Sequence, residues 1–152
     1  MGDAFKKTYE LAEKQAMKKQ EMFPEDNFIL RDTVNAYLVD VMPNVKFSSM
    51  KFKSLHFAVE KGYYLTSAEL SQFFLYHDRC YRREESFKNT YELAETQSLK
   101  KQEMFPDENF DLATSINAYL VDVIPHVKFS TMSCDFLTKF VCMFFYMILS
   151  RF

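Results

Sequence analysis

The chain has 152 residues, 48% of them apolar, which is enough for one ordinary domain or two small ones and argues against a disordered polymer. Its 19 Lys and Arg stand against 21 Asp and Glu, a net charge of −2, so no positive excess is available to release counterions from a nucleic-acid backbone, and no nucleic-acid partner is expected. Three cysteines, Cys80, Cys134 and Cys142, form no CxxC pair and have no His at zinc-ligand spacing, so they read as reduced thiols, with no metal and no disulfide scaffold.

Asp3 and Lys6 interrupt the N-terminus where a secretory leader would be apolar, and a cytoplasmic setting is the default expectation. Residues 4–23 place Phe5, Tyr9, Ala12, Ala16 and Phe23 near multiples of 3.6, with Lys18, Lys19 and Gln20 between, which predicts an amphipathic helix. Pro24 should stop it, because the residue before proline is pushed out of helical geometry. Asn27 is the expected N-cap of a second helix carrying Leu30, Val34, Tyr37, Leu38 and Val41, and Pro43 its end. A third helix is expected from about Ser49 to Lys61, with Phe52, Leu55 and Val59 on one side and Gly62 as C-cap. Thr66 and Glu69 form a TxxE capping box for a fourth helix ending near His77.

The chain then repeats itself. Residues 5–50 return as residues 87–132, a shift of 82 without a gap, and 32 of the 46 paired positions are identical. An 82-residue period exceeds that of solenoid repeats, so duplication of a domain-sized piece is the reading. Between copies Val34 becomes Ile116, Met42 becomes Ile124 and Met17 becomes Leu99, whereas Ile29 becomes Asp111, Arg31 becomes Ala113 and Asp32 becomes Thr114. The first set suits a core and the second a solvated face. Pro106, Asn109 and Pro125 repeat the helix signals. With only two glycines and no sustained strand alternation, the predicted class is all-α. It is expected as a helical bundle or helical-hairpin stack of two tandem repeats, a first unit over residues 1–86 and a second, truncated unit over residues 87–152 with an apolar C-terminal tail.

The order Ala12-Glu13, Pro24 to Asn27, Val45-Lys46-Phe47-Ser48-Ser49-Met50, Gly62, Tyr64-Leu65-Thr66 and Phe73-Phe74-Leu75 resembles the later part of the BACK domain. The version it is most similar to is that of BTB/POZ proteins with a PHR domain, and the likeness covers residues 5–78 and again 87–137. Leu11 and Leu93 stand where that family often carries Trp, Lys46 and Lys128 where it has Arg, and Ser48 and Ser130 where it has Pro. The resemblance implies a non-catalytic scaffold within substrate adaptors of cullin-RING ubiquitin ligases, here a duplicated internal piece lacking the BTB and substrate-binding domains. Protein partners, among them ubiquitin-ligase components, are what it implies.

Candidate chemistry weighs against an enzyme. Glu10 and Glu13, like Glu92 and Glu95, stand three apart, but Lys6 and Lys14 lie four residues to either side of Glu10 and make ordinary surface pairs. His56, His77 and His126 are dispersed, each without a matching histidine in the other copy. No glycine-rich phosphate loop exists, and no cofactor is expected. Tyr37 and Tyr119, in the shared Asn-Ala-Tyr-Leu-Val-Asp-Val block, are candidate interface anchors set against a preferred core role. Arg79, Arg82 and Arg83 are candidates for an acidic partner, set against a solvated linker after the fourth helix. Nine methionines read as core filling. Finally, Phe140 to Leu149 is an unbroken apolar run between Lys139 and Arg151. Ten helical residues span about 15 Å against roughly 30 Å of bilayer hydrocarbon, so membrane contact through residues 136–152 is the alternative, and packing or self-association through the run the expectation.

Overall fold

The computed structural model describes residues 2–24, 26–79 and 82–142. Cys80 lies outside the described residues, as does the apolar run from residue 143 onward. Among the described residues every regular element is helical, which establishes the all-α class. The helices are α1 (Gly2–Met22), α2 (Leu30–Leu38), α3 (Phe52–Glu60), α4 (Ser67–Asp78), α5 (Arg83–Met104), α6 (Leu112–Leu120) and α7 (Cys134–Phe136), the last running on into a π turn over Leu137–Val141. Short 3₁₀ turns, Met42–Asn44 and Phe47–Ser49, link α2 to α3, and Ile124–His126 and Phe129–Thr131 link α6 to α7.

These spans obey the shift seen in the sequence. α2 and α6, and both pairs of 3₁₀ turns, recur at 82 positions to the residue. Packing groups the chain differently, into compact units over residues 1–57 and 58–152, because α4 packs on α5 and α6.

In the first unit α1 packs on α2 and buries Phe5, Tyr9, Ala12 and Ala16, the face expected from periodicity, with Val34, Leu38, Met50 and Leu55. Phe5 meets Phe47 edge to face, centroids 5.7 Å apart, and Tyr9 meets Phe57 likewise at 5.6 Å. Gly2 lies so close to Ser54 that a Cβ would collide with it, which accounts for a residue without a side chain at that point.

In the second unit α5 repeats the role of α1 against α6. Phe87 meets Phe129 edge to face at 5.6 Å, the same pair displaced by 82 residues. The counterpart of Phe57 would be Lys139, yet Tyr91 meets Phe140 instead, at 5.2 Å and 79°. The π turn is the reason: its wider turn takes up one extra residue, so the ring arrives one position late. Phe140→Ala should therefore destabilise this unit, by less than the ~3–5 kcal/mol of a fully buried Phe because Phe140 is half-exposed. Lys139→Ala should stay within about 0.5 kcal/mol, its pair with Asp135 being fully on the surface. Hydrogen exchange of the α5 amides in both variants checks this, and equal effects would place the ring elsewhere.

The α4 hairpin follows its sequence signals. The Glu69 N–H donates to Thr66 Oγ1 (3.2 Å) and the Thr66 N–H to Glu69 Oε2 (2.8 Å), closing the capping box. Gly62, at φ 91°, terminates α3 in the left-handed conformation, with the Tyr63 N–H donating to the Ala58 carbonyl at 3.0 Å. Two expectations are corrected. Neither Asn27 nor Asn109 is an N-cap: the helices open at Leu30 and Leu112, capped by Ile29 without a side-chain bond and by Asp111, which accepts from the Thr114 N–H at 2.8 Å. α2 and α6 also stop before the prolines, at Leu38 and Leu120, and Pro43 and Pro125 sit inside the 3₁₀ turns that follow.

Candidate interaction surface

α5 buries two faces. One, with Phe87, Ala94 and Ser98, corresponds to the buried face of α1; the other carries Leu93 and Gln97, one turn apart. Around this second face the segment leading into α4 is fastened by polar contacts. The Leu65 N–H donates to Gln97 Oε1, the Tyr64 hydroxyl to Met104 Sδ (3.1 Å), and the Ser67 hydroxyl to the Asp122 carboxylate. At the other end Arg83 Nε donates to Asp78 Oδ1 at 3.0 Å, so α4 runs antiparallel to α5. Leu70, Ser71, Phe73, Phe74 and His77 are the buried residues this arrangement places on α4, His77 against the Phe73 ring at 4.2 Å.

The first copy carries the same residues: Leu11 for Leu93, Gln15 for Gln97, Met22 for Met104 and Asp40 for Asp122, four identities out of four. Their environment is opposite. Leu11 is 61% exposed where Leu93 is 0%, and Gln15 and Met22 lie open where Gln97 is sealed. Leu11, Lys14, Gln15, Lys18 and Glu21 form a stripe along α1 that, with Leu30 of α2, lines a shallow groove of about 740 Å³. Identity between copies hides this contrast, because it is made by α4, which packs on α5 and α6.

The residues singled out from sequence do not gather in this groove. Tyr37 is 43% exposed and Tyr119 half-buried, so neither takes the preferred core role; burial, and secondarily Tyr64, pushes the Tyr119 hydroxyl above its ordinary pKa. Arg79 and Arg82 are exposed, whereas Arg83 is half-buried and ties Asp78 to Thr131. Beside it Glu84 accepts from the Ser133 N–H, a bond that holds its carboxyl below the ordinary range. Glu10 pairs with Lys6 at 3.9 Å. His56 lies edge-on to Phe52, His77 is buried and His126 exposed. Cys134 and Cys142 are free and exposed. Among the described residues no group of three or more His, Cys, Asp or Glu could hold a metal ion, and no helix is long and apolar enough to cross a membrane. Comparison with family models, with curated proteins and with solved structures finds no match.

Proposed function

We propose that this chain is a non-catalytic protein-interaction module, a duplicated BACK-like piece of the scaffold found in cullin-RING ubiquitin-ligase adaptors, working in the cytoplasm through protein partners. The observation that carries the reading is the α1 groove: a face carrying Leu11 and Gln15, the counterparts of the Leu93 and Gln97 that α5 buries, left open to solvent. A surface of this kind, apolar at its centre through Leu11 and Leu30 and polar at its rim through Lys14, Lys18 and Glu21, has the anatomy of a protein-binding site rather than a catalytic one. The collinear BACK-like landmarks add the ligase context, and Glu10, Glu103 and His77 are engaged in surface pairs and a ring contact that require no chemistry.

Affinity purification of the full chain followed by mass spectrometry tests the reading. Co-purification of a cullin or a BTB protein, lost on Leu11→Asp, is the expected result. Recovery of neither would remove the ligase context. Self-association through residues 140–149 belongs to the same proposal, and sedimentation of the full chain against one ending at Cys142, which keeps the Phe140 contacts, measures it.

A further inference from the structure

The repeat makes it possible to say what the open groove takes. Resting on the interaction-module reading, we infer that the α1 face docks an amphipathic helix of a partner protein entered through a Leu-Thr-Ser-type cap, in the way α5 docks α4. The contact that holds α4 has three parts, each with its counterpart residue on the first copy. The backbone N–H one residue ahead of the cap goes to a glutamine carbonyl, Gln97 there and Gln15 here. The hydroxyl at the first helical residue goes to an aspartate, Asp122 there and Asp40 here. The apolar face lies on a leucine, Leu93 there and Leu11 here.

The geometry has a physical logic. A segment that enters a helix carries a backbone N–H just ahead of the cap that no helical bond satisfies, and a side-chain amide carbonyl beside an apolar stripe accepts it while the helix buries its side chains. Exposed α1 side chains are free to do this without rearranging the core, since Phe5, Tyr9, Ala12 and Ala16 on the other face already hold the unit together. One difference between copies tunes the partner. Lys14 replaces Thr96 on the groove wall, and beside Lys18 it favours an acidic side chain on the incoming helix. The α4 of the same chain is already held by α5 at high effective concentration, so it does not compete for the groove.

The probe is a fluorescein-labelled peptide of residues 63–79, which contains the cap and helix of α4, added to the full-length chain and followed by anisotropy. Saturable one-to-one binding is expected. Gln15→Ala should weaken it about tenfold, the effect of leaving one donor unpaired, and Leu11→Asp should abolish it. A peptide carrying Leu65→Pro has no N–H to donate and should lose the same factor. Combining it with Gln15→Ala should lose nothing more. Both α1 positions are exposed, so the variants keep the fold. Absence of binding, or binding indifferent to Leu11→Asp and Gln15→Ala, overturns the inference. The two proposals fail separately: peptide binding with no cullin or BTB protein recovered removes the ligase reading and keeps the groove, and the converse removes the groove alone.

Discussion

Phe87→Ala is expected to destabilise the second unit by about 3–5 kcal/mol. Phe87 is fully buried, and its ring is met edge to face by Phe129 at 5.6 Å and by Phe140 at 6.2 Å. Truncation removes the apolar area of one ring and the quadrupolar contacts of two pairs. It leaves a cavity whose walls are held apart by α5 and the turns after α6. Small domains have only about 5–15 kcal/mol in total, so the change should unfold a large share of this unit's stability. Hydrogen exchange of the α5 amides reads that unit by itself. A fall of less than about 0.5 kcal/mol, the range of ordinary surface substitutions, would mean that the ring is not part of a packed core. Lys88→Ala, on the exposed side of the same turn, is the control.

Much of this fold is legible from the amino-acid order because its signals are local. The Thr66–Glu69 box, the left-handed Gly62 and the 3.6-residue spacing of Phe5, Tyr9, Ala12 and Ala16 each depend on neighbours within a few turns. The 82-residue shift extends that legibility to the second copy. Three features are not local. Ile29 and Asp111 differ as an apolar and an acidic residue and so read as a varied solvated face, whereas they are the N-cap positions of α2 and α6, with a side-chain bond in one copy and none in the other. The slip that exchanges Lys139 for Phe140 arises in a π turn beyond Met132, where the two copies no longer align. The groove is the third. Leu11 and Leu93 are the same residue in the same repeat, and the packing of α4 on α5 makes Leu93 a core residue while Leu11 is exposed. Periodicity finds the face of a helix that is apolar. It does not find which polar-flanked face a distant segment will cover.

Leu38→Ala and Leu120→Ala should each cost about 2–5 kcal/mol, as large-to-small changes at fully buried leucines do. Leu38 and Leu120 are equivalent positions at the ends of α2 and α6, and both are sealed from solvent. The costs should nevertheless be unequal. In the second unit α6 is packed by α4 as well as by α5, so the cavity left at Leu120 has rigid walls on more sides and can collapse less. Leu120→Ala should thus be the more damaging of the two. Each is followed by hydrogen exchange of its own helix, since a chain of two compact units gives no single unfolding free energy. The neighbouring Val39→Ala and Val121→Ala, both at exposed positions, should remain within about 0.5 kcal/mol. If Leu38→Ala proves as harmful as Leu120→Ala or more so, packing by α4 adds nothing to the rigidity of the second copy. The difference between the copies would then reside in the exposed face of α1 alone.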